Sequence, residues 1–276
     1  MRRTLPSGTH GVCWMVGRLR WLILSATLLL LAPWPVLGAE PAVPKEAQDL
    51  LREAQRSRGG IVEMARVAEI RRQGELVLAT SDGERIVPLR VVVRPPGHLV
   101  LETGTGDDLV RREFMNGKAW EVRSDGQPRE LSPEEAARFR NLVMVDEAFL
   151  VRAALAGDLL ITGVEDAGPG QVSLDLPAAD GRAVLLQNTA GADYRLVLPV
   201  GGGLPLRVDY SLPGEQPDSE HALSDVFARW RVVEGLLFPA EVILYREARA
   251  ISAARYSTIE VELLPESPSS PAVSQP

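Results

Sequence analysis

A stretch of alternating residues near the end of the chain, residues 224–264, limits the possible folds most strongly. In its last part Val261 and Leu263 alternate with Glu260 and Glu262. An alternation of period two places one side of a strand in a core and the other side in water. The stretch therefore predicts three consecutive antiparallel strands, over residues 226–233, 238–246 and 251–264.

Turn-forming pairs recur at intervals of about ten residues along the rest of the chain. They include Asp82-Gly83, Asn116-Gly117 and Asp125-Gly126, whose residues tolerate the positive φ angles of tight hairpins. This spacing favours antiparallel sheet over repeated β-α-β units. The further predicted strands are residues 61–73, 75–80, 87–94, 98–103, 109–115, 119–123, 159–164, 172–176, 184–187, 194–199 and 204–210.

Three helices are predicted to interrupt these strands. Residues 45–57 place apolar side chains on one face, and the glycines at 59 and 60 end that helix. Ser132, Pro133 and Glu135 have the order of a capping box, and Asp146 has the character of a second N-cap. Both later helices carry apolar stripes, which must lie on the sheet or across its open mouth.

The first 39 residues have the order of a secretory signal peptide. Arg18 and Arg20 precede an apolar run at 21–32, and small residues follow up to Ala39. The run is shorter than the roughly 20 residues of a membrane span, although a retained anchor is the alternative. Met15 is a second possible start. The predicted organisation is a signal peptide at 1–39, a domain at 40–264 and a disordered tail at 265–276.

The composition argues against several classes of function. Beyond residue 39 the chain carries 26 basic and 37 acidic residues, a net charge of −11 that disfavours nucleic-acid binding. Cys13, the single cysteine, lies within the predicted signal peptide. His98 and His221 have no second histidine at ligand spacing, so we predict neither a metal nor a cofactor.

Paired carboxylates are the remaining candidates for catalysis. They fall at predicted turns and helix starts, where acids commonly cap backbone N–H groups. We therefore predict no catalytic residue, and a hydrolase with two carboxylates is the weakest alternative. The pairs are Asp107-Asp108, Glu134-Glu135, Asp146-Glu147 and Glu165-Asp166.

The predicted fold is mainly β with α. One strongly curved antiparallel sheet forms an incomplete β-barrel, with an N-terminal helix and the mid-chain helices as a lid. Its aliphatic interior would either be filled by side chains or hold an apolar ligand, because both kinds of barrel share the same alternation.

Several weak motifs together resemble the outer-membrane lipoprotein-sorting (LolA-like) proteins. They are residues 116–120, Gly203-Leu204-Pro205 and residues 234–245, and the resemblance extends over about 47–264. It implies a periplasmic half-barrel that carries or senses acyl chains. Carriers of this kind have an arginine in the cavity, but Arg90 and Arg94 lie on the polar side of their strand.

The resulting prediction is a periplasmic, non-enzymatic carrier or binding protein for lipid or lipoprotein acyl chains, with transient membrane contact as a further possibility. The alternative is an envelope sensor or scaffold that binds another envelope protein and has a filled core. The predicted lining of the cavity is Val87, Leu89, Val91, Val93, Trp120, Val122, Phe139, Phe149, Leu150, Leu206, Val208, Trp230 and Val232.

Overall fold

The computed structural model describes residues 44–95, 97–167, 181–211, 223–246 and 249–265. The predicted signal peptide, the predicted strand at 172–176, His221 and the tail beyond residue 265 lie outside these ranges. The division of the chain into signal peptide, domain and tail stays a prediction.

Four α-helices are present in the described ranges: α1 (Lys45–Ser57), α2 (Ile61–Ala65), α3 (Pro133–Met144) and α4 (Glu147–Ala156). The bounds of α1 agree with the prediction, and its buried residues include Ala47, Leu51 and Ala54. The prediction of a strand from residue 61 is wrong for α2. Gly60, at a φ of 123°, redirects the chain there, and the helical turn that follows buries Met64.

The strands follow the predicted turns closely, with an additional short strand at 128–130. They are β1 (Val67–Thr80), β2 (Gly83–Arg94), β3 (His98–Thr103), β4 (Val110–Met115), β5 (Lys118–Val122), β6 (Pro128–Glu130), β7 (Leu160–Ala167), β8 (Gly181–Gln187), β9 (Asp193–Pro199), β10 (Arg207–Tyr210), β11 (Leu223–Val233), β12 (Leu236–Arg246) and β13 (Arg249–Leu263).

These thirteen strands form one antiparallel sheet in the order β6-β5-β4-β3-β2-β1-β13-β12-β11-β10-β9-β8-β7. The sheet is an open half-barrel of mainly β structure, which confirms the predicted fold class. The last strand, β13, pairs with β1, with Val261 opposite Ile70. The meander of β11, β12 and β13 therefore lies in the middle of the sheet and not at one of its edges.

Two main hydrophobic clusters lie on the sheet. The first packs α1 and α4 against β7 to β11, and the second lies over β1 to β5 with parts of β12 and β13. Helix α4 belongs to both, because Leu150 is buried in the first cluster and Phe149 in the second. This helix therefore joins the two halves of the sheet.

The predicted caps of the mid-chain helices are present. Glu135 accepts a hydrogen bond from the backbone N–H of Ser132 (2.9 Å) and donates its own N–H to the Ser132 hydroxyl (3.3 Å). Asp146 accepts from the N–H of Ala148 (3.0 Å), and Gly157 ends α4 at a φ of 85°. Among the helices described, none is both long and apolar enough to span a membrane.

Candidate functional site

A cavity of about 180 Å³ lies between the inner face of the sheet and the two mid-chain helices. Most of its wall is apolar and comes from β2, β3, β11, β12 and α3, while one side is charged. The lining consists of Arg72, Val91, Leu99, Leu101, Phe139, Leu142, Val145, Asp146, Glu147, Asp225, Phe227, Val242 and Tyr256.

Arg72 of β1 is the centre of the charged side. Its guanidinium is 2% exposed and binds Asp146, the N-cap of α4, and Glu147, whose Oε1 lies 2.8 Å from Nη2. The guanidinium also lies over the ring of Tyr256, at 5.5 Å from its centroid. The start of α4 is thereby held to the inner face of the sheet by two charge-assisted hydrogen bonds.

A second buried arginine, Arg58, supports Glu147 from the connection between α1 and α2. It donates to the Glu147 carbonyl over 2.8 Å and lies 3.4 Å from the Glu147 carboxylate. Its guanidinium lies 5.4 Å from the ring centroid of Phe238 and 6.0 Å from that of Trp230. The carboxylate of Glu147 is therefore enclosed by two arginines.

Burial and charge act in opposite directions on these pKa values. Burial alone lowers the pKa of Arg72, but the carboxylates of Asp146 and Glu147 outweigh it and raise that pKa. Burial lowers the pKa of Arg58 despite the attraction of Glu147, and burial raises the pKa of Glu147 despite the attraction of Arg72. Because an arginine starts from a pKa above 12, Arg72 is a permanent cation beneath the helices.

Asp225 of β11 is the titratable group at the edge of this network. Burial raises its pKa to about 7, and the negative charges of Asp146 and Glu147 add to the effect. The hydroxyl of Tyr210, whose oxygen lies 3.5 Å from its Oδ2, opposes the rise in pKa more strongly than either negative charge adds to it, but burial outweighs this hydrogen bond. The cavity therefore contains one carboxyl group that changes charge near neutral pH.

The two helices over the cavity differ in how firmly they are held. Most of α4 is buried, and Arg152 donates to the Val67 carbonyl of β1 (3.2 Å). In α3 the first turn is exposed, while Phe139 and Asn141 are buried. The amide oxygen of Asn141 accepts from the Tyr194 hydroxyl of β9 (3.1 Å). Helix α3 thus covers the cavity with an exposed first turn, whereas α4 is part of the core.

The residues predicted to line a cavity fall into four groups. Val91 and Phe139 border the 180 Å³ cavity. Leu89, Val93 and Phe149 are buried in the second hydrophobic cluster, and Leu150 and Val208 in the first. Val87, Trp120, Val122, Leu206 and Trp230 are half-buried. Val232 is 64% exposed, so its predicted position in the interior is wrong. Contact of these residues with a ligand stays a prediction.

Trp120 and Val122 lie on the face of β5 opposite to the predicted one. Ala119 is buried opposite Phe114 in the second cluster, whereas Trp120 pairs with Glu113. The five residues of this short strand include the charged Glu121, which is buried and forms an ion pair with Arg112 (2.9 Å). Because Glu121 is an acid, the alternation predicted that Trp120 and Val122 face the interior, whereas Ala119 and Glu121 are the buried residues.

The sequence interpretation did not place Arg72, Glu147 or Asp225 in the lining of a cavity. Arg72 follows the buried Ile70 by two residues on β1, so the alternation alone places it on the inner face. Asp146 was recognised only as a cap. Among the described residues, no three Asp, Glu, His or Cys side chains are grouped closely enough to hold a metal ion.

Comparison with solved structures shows the same fold. A putative outer membrane lipoprotein-sorting protein domain from Vibrio parahaemolyticus superposes with a TM-score of 0.52 at 10% identity, over 78% of this chain and 93% of that one. A LolA superfamily protein from Nitrosomonas europaea gives 0.50 at 13%, over 79% and 94%. A DUF1329 family protein from Desulfovibrio piger gives 0.49 at 10%, over 79% and 92%.

Sequence comparison adds nothing to this result, since no protein-family model and no curated protein matches the chain. At such identities the structural likeness concerns the fold. The chain has a LolA-like fold, as predicted from the motifs at 116–120, 203–205 and 234–245.

Proposed function

We propose that this protein is a periplasmic, non-enzymatic binding protein for the acyl chains of lipids or lipoproteins. The observation that carries the proposal is the apolar cavity between the inner face of the sheet and α3. The proteins of similar fold from Vibrio parahaemolyticus and Nitrosomonas europaea, described as lipoprotein-sorting and LolA superfamily proteins, support it.

The size of the cavity indicates a closed state. Ligand pockets usually have volumes of about 300–1,000 Å³, whereas this one has about 180 Å³. An acyl chain would need more space, which a movement of α3 provides because its first turn is exposed. Apolar burial contributes about 25 cal/mol per Å², so a chain of several methylenes can offset the loss of the contacts of α3.

The buried ion pairs of Arg72 hold α4 in place, so the proposed movement is that of α3. Separating Arg72 from Asp146 and Glu147 would leave charges unpaired in the interior, at a cost of several kcal/mol. Helix α3 has no such link in the described structure; its buried polar contact is the hydrogen bond between Asn141 and Tyr194. The proposed mechanism is therefore an opening of α3 over a fixed α4.

A fluorescent fatty acid provides the test. Val242 lines the cavity and Ile243, its neighbour on β12, points to the other face of the sheet; both are half-buried. We expect Val242→Trp to weaken binding at least tenfold and Ile243→Trp to leave it within about twofold. Equal binding by wild type and Val242→Trp would place the ligand elsewhere.

The second candidate function is an envelope sensor or scaffold with a filled interior, and the small volume of the cavity favours it. Native mass spectrometry of protein purified from the periplasm distinguishes the two. Lipid that co-purifies with the protein supports the binding function. Absence of lipid, together with one protein partner in fixed stoichiometry, supports the sensor or scaffold.

A further inference from the structure

A groove of about 870 Å³ is lined by residues of β1, β2, β3, β11, β12 and β13. Two of its charged residues, Arg90 and Arg255, lie on the outer face of the sheet. Gln73 of β1 is adjacent to Arg72 and points to the opposite side, and it pairs with Arg90 of β2. Four arginines and two glutamates contribute to the lining, namely Arg90, Arg229, Arg231, Arg255, Glu75 and Glu102.

Arg90 has a carboxylate partner in Glu102 (3.2 Å), but the other three arginines of the groove have few. Arg229 and Arg255 share the single carboxylate of Glu241, at 3.0 and 2.9 Å. Arg231 donates to the carbonyl of Ser257 (2.8 Å), and within the described ranges it makes no ion pair with a carboxylate. The groove is therefore locally basic in a chain whose formal net charge is −7.

Arg229, which lines the groove, has an unfavourable backbone conformation. Arg229 has a φ of 53° within strand β11. In the part of the chain that the structure describes, the other non-glycine residues with positive φ, Asn116 and Glu234, each precede a glycine in a hairpin turn. A left-handed conformation is unfavourable for arginine, and such strain concentrates at functional positions. The side chain stays 73% exposed, so the strain does not serve to bury it.

One aromatic residue separates this groove from the interior cavity. Tyr256 of β13 lines both of them and contacts the guanidinium of Arg72 on the inner side. The pairing of β12 with β13 starts at Glu241 and Arg255, although β12 begins at Leu236 and β13 continues to Leu263. The sheet thus parts beside Tyr256, where the outer groove approaches the cavity.

We propose that this groove binds the phosphate headgroup of a lipid whose acyl chain occupies the interior cavity. Arginine forks bind phosphate oxygens in pairs, and two arginines that share one carboxylate retain donors for a second anion. The volume of the groove is within the range of small-molecule sites. The assignment rests on the proposed acyl-chain function and specifies the lipid class as phosphate-bearing.

The test compares three probes on one set of variants. The probes are phosphatidic acid in detergent micelles, a fluorescent fatty acid and inorganic phosphate. The variant combines Arg229→Gly, which removes the guanidinium and the unfavourable φ together, with Arg231→Gln. The matched control combines Arg52→Gln and Arg56→Gln on the exposed side of α1, where the side chains are 47% and 61% exposed.

We expect the groove variant to bind phosphatidic acid at least tenfold more weakly and the fatty acid within about twofold of wild type, with the α1 control unchanged. Unchanged binding of phosphatidic acid, or an equal loss for both lipids, overturns the headgroup site and leaves the acyl-chain function intact. If inorganic phosphate binds as tightly as phosphatidic acid, the site takes free phosphate and the lipid assignment is overturned. If wild-type protein binds neither lipid, the acyl-chain function itself fails.

Discussion

Nη2 of Arg72 lies 2.8 Å from Oε1 of Glu147, although neither side chain is more than 2% exposed. Arg72 belongs to β1, next to the central strand β13, and Glu147 belongs to the first turn of α4. The pair therefore fixes the position of α4 on the sheet, and with it the fixed side of the cavity.

Replacing Arg72 with methionine tests this relationship. The change leaves Asp146 without its arginine and Glu147 with Arg58 alone. Because buried charges lose their compensation, we expect the free energy of unfolding to fall by about 3–5 kcal/mol, measured by urea denaturation. Adding Glu147→Gln to this variant should recover part of the loss.

The neighbouring Arg71→Met serves as the control. Arg71 is 41% exposed and pairs with Glu69 and Glu262 on the outer side. Glu69 is buried but keeps Arg94 as a second partner, and Glu262 is exposed, so this variant should lose much less stability than Arg72→Met. Equal losses for the two variants would show that the buried pair has no special role.

The pKa of Asp225 predicts a dependence of stability on pH. Its pKa is about 7 in the folded protein and about 3.9 in an unfolded chain. The folded state therefore holds the proton more tightly, and this group makes the free energy of unfolding fall as pH rises from about 4 to 7. The slope approaches about 1.4 kcal/mol per pH unit from this one group.

Asp225→Asn should remove that contribution while keeping an oxygen near the Tyr210 hydroxyl. We expect the difference in free energy of unfolding between the variant and wild type to grow in favour of the variant from pH 4 to pH 7, and then to level off. A constant difference across this range, measured by chemical denaturation in one buffer series, would contradict the raised pKa.

The alternation of single strands predicted most of the fold, but pairing between distant strands was beyond it. The inward phase of Ile259, Val261 and Leu263 is confirmed by their packing in the second cluster. The pairing of β13 with β1 joins two strands that lie far apart in the sequence, and no local sequence pattern predicts it. Residues 61–65 are helical because Gly60 redirects the chain there, a tertiary effect on a short apolar run.

The candidate site was less predictable for a related reason. A sequence pattern predicts that charged residues are exposed to solvent. Arg72, Glu121 and Glu147 were therefore not predicted to be buried. Each is buried together with an opposite charge from another residue, as Glu147 meets Arg72 across 75 positions of sequence and Glu121 meets Arg112 of the neighbouring strand. The burial of a charge is a property of the pair, which one strand cannot reveal.

Hydrogen exchange distinguishes the two helices over the cavity. The first turn of α3 is exposed, whereas seven of the ten residues of α4 are buried. We expect the backbone amides of α3 to exchange faster than those of α4 through local opening. Addition of a bound fatty acid should slow exchange in α3 and leave α4 unaffected. Exchange of both helices at one common rate would show that they open together.

Gly74 allows the last prediction, because the backbones of β1 and β13 approach each other closely where this residue lies. A Cβ at this position would lie 1.9 Å from the carbonyl oxygen of Arg255, and the register between β1 and β13 shifts at the same point. Since a backbone atom cannot move aside easily, we expect Gly74→Ala to lower the free energy of unfolding by about 1–3 kcal/mol, the usual range for overpacking. Gly163 of β7 also lies at a register shift, but a Cβ there would meet only Leu185 Cδ1, at 3.5 Å. Gly163→Ala should therefore change stability little, and thermal unfolding of both variants would test whether the close approach at Gly74 is what shapes the centre of the sheet.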